Sequence, residues 1–197
     1  MNVPENCIPW IKKQRTGYVE PIREFINEMK FEYNEMKKYL PDKCESILDI
    51  GCGIGGIDVM LSNHYKNPLL YLLDNSKQSE KPIYGFDRGE SFYNDFSATV
   101  GLMDGNGIYQ YQLIDVHGGF PEIKNIDLVV SLLSWGYHYP VETYIKQVHG
   151  CLSKTGMIIM DIRQGTKGIA ALKTITKNIV IISTRNKSTR VCARMEE

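Results

Sequence analysis

Apolar positions along this chain follow two different rhythms, and the places where one gives way to the other mark out the elements. Over residues 21–39 the apolar positions Ile22, Phe25, Ile26, Met29, Tyr33 and Met36 recur every three or four residues, the spacing of one helix face, and Pro41-Asp42 ends the run. Short unbroken apolar stretches follow at residues 46–50, 69–73 and 126–133. Each has the length of a strand buried on both faces, and further strands are predicted at 109–116 and 156–162. Helical spacings separate them, carried by Ile57, Met60 and Leu61, then by Phe92, Phe96, Val100 and Met103, then by residues 144–152. Residues 75–90 are polar and turn-rich. The first fifteen residues, with Pro4 and Pro9, read as an extended arm carrying an exposed Trp10.

Strands alternating with helices imply parallel β-α-β units and an α/β layered fold. The end of the chain breaks the rhythm. After a short helix near residues 169–175, the runs 179–183 and 190–193 flank a polar loop at 184–189, a hairpin whose last strand must run antiparallel.

A chain of 197 residues suits one domain with a substantial core. Within it, residues 1–40 form the arm and a helix laid across a sheet, with a lid built from Trp10 and Tyr18 as the alternative, and residues 44–197 form the α/β core. Lys and Arg together number 23, as do Asp and Glu, so the basic excess that phosphate neutralisation calls for is missing. The balance is uneven along the chain: from Arg163 onward eight Lys/Arg face only Glu196 and Glu197, a run read as a solvated hairpin face. Five cysteines without a C-x-x-C pair suggest neither a zinc site nor a disulfide framework and point to a reducing, cytoplasmic setting. No apolar run reaches the roughly 20 residues of a membrane span, and no signal peptide or anchor is expected.

The chemistry concentrates at Ile47-Leu48-Asp49-Ile50-Gly51-Cys52-Gly53-Ile54-Gly55-Gly56, an apolar strand passing through glycines into a helix. Such a turn gives a nucleotide close access to backbone N–H groups. Its G-x-G-x-x-G spacing alone is shared with nicotinamide-dependent oxidoreductases. Asp49 discriminates: a carboxylate inside an apolar strand is costly without a cationic or hydrogen-bonding partner, and a ligand bearing an ammonium supplies one. Ligands of open α/β sheets bind beyond the carboxyl ends of the strands. Those ends carry Asp74, suited to both hydroxyls of a ribose, then Asp115, the segment Ser131 to Pro140, and Asp161 with Arg163. Asp161 and Arg163 read equally well as a salt bridge with each other, and Asp58 as a first-turn acid complementing the helix dipole.

Asp49-Ile50-Gly51-Cys52-Gly53-Ile54-Gly55 resembles the first motif of class I S-adenosylmethionine-dependent methyltransferases. The resemblance extends over about residues 44–162 in the order of elements. It implies the Rossmann-like class I methyltransferase fold, a mostly parallel seven-stranded sheet with an antiparallel C-terminal strand and helices on both faces. It also implies that Asp49, Gly51, Cys52, Gly53 and Gly55 hold the methionyl end of S-adenosylmethionine, Asp74 the ribose, and Asp115 with Val116 the adenine edge, with Ser131 at the end of strand four also facing the cofactor.

Ser131-Leu132-Leu133-Ser134-Trp135-Gly136-Tyr137-His138-Tyr139-Pro140 lacks the Asp/Asn-Pro-Pro-aromatic motif of DNA amino-methyltransferases, and Cys151 lacks a Pro-Cys setting, so methylation of DNA bases is disfavoured. His138 is the candidate base, since a near-neutral imidazole can take a proton from a hydroxyl or amine. Trp135, Tyr139 and Arg163 are candidate acceptor contacts, against core and rim packing as the plainer reading of the aromatics. No metal is indicated. The expected activity is O- or N-methylation of a small molecule, with RNA or protein acceptors left open. The rivals are an NAD(P)-dependent oxidoreductase and a non-catalytic cofactor-binding protein on the same fold.

Overall fold

In the computed structural model, residues 1–75 and 95–195 are described, and they form seven strands and six α-helices around one sheet. The strands are β1 (Ser46–Ile50), β2 (Leu69–Asp74), β3 (Tyr111–Asp115), β4 (Ile126–Ser131), β5 (Leu152–Arg163), β6 (Asn178–Thr184) and β7 (Ser188–Arg194). Their order across the sheet is β3-β2-β1-β4-β5-β7-β6. The first five are parallel, while β7 is antiparallel to both β5 and β6. The helices are α1 (Ile8–Gln14), α2 (Pro21–Met36), α3 (Gly56–Tyr65), α4 (Phe96–Asp104), α5 (Ile145–Cys151) and α6 (Gly168–Leu172).

The alternation of side chains along each strand divides the core in two. Ile47, Leu70, Leu72, Leu128, Val130 and Ile159 pack with residues of α1 to α4 on one face. Leu48, Ile50, Leu73, Val129, Ile158 and Met160 pack with α5 and α6 on the other. Asp49 and Asp161 share the register of the first set, so both carboxyls point towards the α2–α3 layer. Both are buried.

Four expectations need correction. The N-terminal arm is not extended: Glu5–Cys7 is a 3-10 turn and α1 follows directly, because Cys7 and Ile11, one helical turn apart, both bury completely and Pro9 falls in the first turn, where its missing N–H costs nothing. Trp10 is half-buried against the same core. Strand four stops at Ser131, since Leu133 adopts a left-handed φ of 54° that no strand continues through. The hairpin is not a solvated basic face: Arg190 is 1% exposed, and Arg185 is drawn into the same ion network. The expected helical residue Phe92, and most of the polar stretch 75–90, lie outside the described residues.

Candidate functional site

The turn after β1 is fixed to the neighbouring strand and stripped of side chains. The Gly51 and Cys52 N–H groups both donate to the Leu73 carbonyl, at 2.7 and 3.3 Å. Gly51, Gly53 and Gly55 have φ of 83°, 56° and 84°, a region an L side chain enters only at a cost of about 1–2 kcal/mol. Each has a further role. A Cβ on Gly51 would stand 1.9 Å from the Ser134 Oγ, and one on Gly55 would stand 2.6 Å from the Met103 Cε, so these two allow close packing. Among the described residues, a Cβ on Gly53 would meet nothing within 4 Å. There the turn faces open space beyond the strand ends.

Asp74 borders that space, and Asp115 ends the neighbouring strand. The Asp74 Oδ2 accepts the Gly53 N–H at 2.6 Å and its Oδ1 accepts the Asn75 N–H at 2.7 Å, which holds the carboxylate against the turn. Asp115 accepts the His117 N–H at 2.9 Å and so caps the 3-10 turn Val116–Gly118. The His117 ring in turn meets the Asn75 Oδ1 at 3.0 Å, tying the ends of β2 and β3 together. The Cys52 sulfur lies 4.0 Å from the Asp74 Oδ2. Burial, and then Asp74, Asp49 and Asp58, push this thiol well above its usual range, so it packs as a neutral group and is no nucleophile.

Asp49 lies beneath the turn, 2% exposed, and Asp58 on α3 is completely buried beside it. Asp58 lies in the first turn of α3 as expected, and at the third position of that helix its side chain turns inward, reaching 3.7 Å from the position of a Gly55 Cβ. Among the described residues, no hydroxyl, amide or cationic side chain donates to the Asp49 Oδ1 or to either Asp58 oxygen; the Asp58 carboxyl meets only Asp49 and its own backbone N–H. Burial raises Asp49 well above the ordinary carboxyl range, with Asp58 and Asp74 adding to the effect, and burial takes Asp58 to about 7. The two carboxyls are close enough to share a proton.

The loop after β4 is compact. The Ser131 hydroxyl donates to the Ile50 carbonyl at 2.7 Å and accepts the Trp135 N–H at 2.9 Å, which ties β4 to β1 from a fully buried position. Trp135 is also fully buried, its Nε1 donating to the Val141 carbonyl at 2.9 Å, so the indole packs under the loop and presents no wall to a substrate. The Ser134 carbonyl accepts the N–H groups of Tyr137 and His138 at 2.9 and 2.7 Å, and the Gly136 N–H donates to the Tyr139 carbonyl at 2.8 Å. His138, half-buried, stacks edge-on to the Tyr137 ring at 5.1 Å between centroids. The Arg163 guanidinium lies 5.4 Å from the centre of the same ring, and the Arg163 N–H reaches the Gly136 carbonyl at 2.9 Å. His138, Tyr137 and Arg163 therefore form one group at the ends of β4 and β5, with Tyr139 half-buried in the same loop. Asp161 does not pair with Arg163; its partner is Arg190.

Thr99 and Ser134 escaped notice in the sequence. The Thr99 hydroxyl donates to the Gly53 carbonyl at 3.0 Å from α4, and Ser134 packs on Gly51. Neither contact has a local sequence signal, because each joins segments at least 46 residues apart.

Solved structures share this fold. Precorrin-6y C5,15-methyltransferase from Geobacter metallireducens superposes with a TM-score of 0.62 at 15% identity, over 85% of this chain and 87% of its own. The chain has the class I methyltransferase fold. Two further solved structures of that fold are similar. The M. jannaschii TYW2 complex with AdoMet gives a TM-score of 0.52 at 17% identity, over 82% of this chain and 73% of its own. The ribosomal protein L11 methylase of Lactobacillus delbrueckii subsp. bulgaricus gives 0.57 at 17%, over 83% and 76%. No protein-family model and no curated protein sequence matches the chain. Class I methyltransferases of this group thus include proteins named for a small molecule and for a ribosomal protein, and the fold alone does not choose between such acceptors. Among the described residues no helix is long and apolar enough to cross a membrane.

Proposed function

We propose that this chain is an S-adenosylmethionine-dependent methyltransferase acting on an oxygen or nitrogen of a small molecule. The observation that carries the reading is Asp49, a buried carboxylate directly under a glycine turn, with an oxygen that no donor among the described residues satisfies. A group of that kind suits a ligand bearing an ammonium, and a nicotinamide nucleotide offers none. The open space at Gly53 and the Asp74 carboxylate beside it fit the rest of the cofactor, with Asp74 towards the ribose and Asp115 with Val116 towards the adenine.

The bound cofactor supplies an electrophilic methyl group on a sulfonium. The chain's own contribution is largely positional. Asp49 orients the amino-acid end, the glycine turn lets the backbone approach, and Asp74 fixes the ribose. His138 takes the acceptor's proton as its oxygen or nitrogen is methylated, and Arg163 and Tyr139 contact the acceptor from the same loop region. A small acceptor is supported by a formal net charge of zero, which gives no general attraction for nucleic acid.

Calorimetric titration with S-adenosylmethionine, S-adenosylhomocysteine and NADH tests the cofactor assignment. Both sulfur ligands should bind, NADH should not, and Asp49→Asn should weaken binding by about 10- to 100-fold, the loss of one charge-assisted hydrogen bond. NADH binding that is indifferent to Asp49→Asn would return the chain to the oxidoreductases. Labelled methyl transfer to fractionated lysate then identifies the acceptor, against which His138→Ala should lower kcat most near and above neutrality, where the imidazole is free to accept a proton, and least at low pH, where it is already protonated.

A further inference from the structure

Asp58 has no part in the cofactor contacts assigned above, yet it is the more anomalous of the two buried acids. It is 0% exposed, no side chain among the described residues other than Asp49 bonds to its carboxyl, and one of its oxygens lies 3.7 Å from the position of a Gly55 Cβ. The groups facing the pair make its charge state unusual. From β2 comes Asp74 and from the turn Cys52, both acidic. At the glycines beside them, α2 contributes Phe25 and Met29 and α4 contributes Thr99 and Met103, all uncharged. No Lys, Arg or His among the described residues interacts with either carboxyl. Two carboxylates without a cation cannot both stay ionised in a buried site, so one proton is shared between them, and the pair titrates as a unit.

We propose that Asp58 is a positioning residue for the cofactor's ammonium: with Asp49 it forms a two-carboxylate seat that holds one proton while empty and releases that proton to solvent when the ammonium docks. This rests on the S-adenosylmethionine reading of the site. The ammonium replaces the proton as the positive charge next to Asp49, and Asp58 sets how strongly the empty seat holds its proton. A residue that merely filled space at this position would leave ligand affinity independent of proton uptake. Asp58 makes ligand and proton compete for one seat.

The test is calorimetric titration of the full chain with S-adenosylhomocysteine from pH 5.5 to 8.5, in pairs of buffers with different ionisation enthalpies. Below neutrality the wild-type protein should release close to one proton per ligand bound, and affinity should rise roughly tenfold per pH unit until the empty seat is itself ionised. In Asp58→Asn the amide can donate to Asp49, which then stays ionised throughout, so proton release should vanish and the affinity profile should flatten. Asp58→Ser, smaller and also uncharged, should behave alike, and a thermal melt of each variant establishes that it is folded. Wild-type binding without proton release overturns the proposal, as does undiminished release in both folded variants. Failure of S-adenosylhomocysteine to bind the wild-type chain at any pH overturns the cofactor assignment and this inference together, whereas binding that ignores pH removes this inference alone.

Discussion

Arg190 and Asp161 form a bidentate ion pair across adjacent strands, Nε to Oδ1 and Nη2 to Oδ2 each at 2.8 Å, with both side chains 1% exposed. Asp161↔Arg190 is also a register pair of β5 and β7, so the backbone presents the two side chains to each other. Around them Glu32 and Glu35 of α2 contact Arg190 and Arg185. Three acids and two guanidinium groups thus join the N-terminal helix to the C-terminal hairpin. Burial alone would raise Glu32, but the two arginines hold it below the usual carboxyl range.

Removing one member of such a group leaves the others buried without compensation. Asp161→Ala or Arg190→Met should therefore lower unfolding free energy by about 3–5 kcal/mol, read from urea denaturation. Arg23→Met, which breaks the exposed pair with Glu20, should change it by less than about 1 kcal/mol. Equal small effects at both places would show that the network contributes little.

Gly51 and Gly53 should respond differently to alanine. At Gly51 the new methyl meets Ser134 as well as a left-handed backbone, and stability should fall by about 2–5 kcal/mol. At Gly53 there is room for it and only the backbone cost of about 1–2 kcal/mol applies. Yet S-adenosylhomocysteine affinity should fall at least tenfold, because the methyl would point into the space assigned to ligand. A Gly53→Ala protein that binds normally would move the ligand elsewhere.

The carboxyl pair makes stability depend on pH. In the unfolded chain both groups ionise near pH 4, whereas in the native protein burial keeps Asp58 protonated to about 7. Across that window the native state binds more protons than the unfolded one. Its stability therefore declines as pH rises from about 4 to about 7, with a slope of about 1.4 kcal/mol per pH unit for each carboxyl that burial keeps protonated. Asp58→Asn should make this decline shallower, by removing the share that Asp58 carries and the part of the Asp49 shift that Asp58 causes. Urea midpoints measured without ligand at several pH values decide it, and a wild-type curve that rises through the window would contradict the assignment.

Trp135→Phe tests whether that indole belongs to the core. Losing the Nε1 donor strands the Val141 carbonyl and should cost about 1–3 kcal/mol, with ligand affinity changed less than about twofold. A large affinity loss at unchanged stability would return Trp135 to the site.

What the sequence revealed and what it hid divide along the range of the interactions. The β1 run, the glycine turn and the helix after it are local patterns, and β1 to β5 follow from apolar runs of strand length. The antiparallel pairing of β7 followed from the hairpin spacing, though its insertion between β5 and β6 did not. Asp49 stood out because an acid in an apolar strand is anomalous on its face. Asp58 did not, since a first-turn acid has an ordinary explanation, and only the inward turn of α3 places it against Asp49. Arg190 likewise looked like one of several basic tail residues until β7 was set beside β5. The N-terminal helix was missed because two prolines in the first nine residues outweighed the i, i+4 pair Cys7 and Ile11.

The position of β7 inside the sheet has a consequence for synthesis. While the chain is being made, β5 exists with a bare edge, and Asp161 exists without its guanidinium, until residue 194 has left the ribosome. The nascent protein can assemble β1 to β5 and the glycine turn, but Glu32 and Glu35 of α2 have no cationic partners against the sheet until the hairpin delivers its arginines. Closure of that face thus waits on the hairpin, and a ribosome stalled before β7 would present an unpaired strand next to a buried acid, a form well suited to recognition by chaperones and proteases.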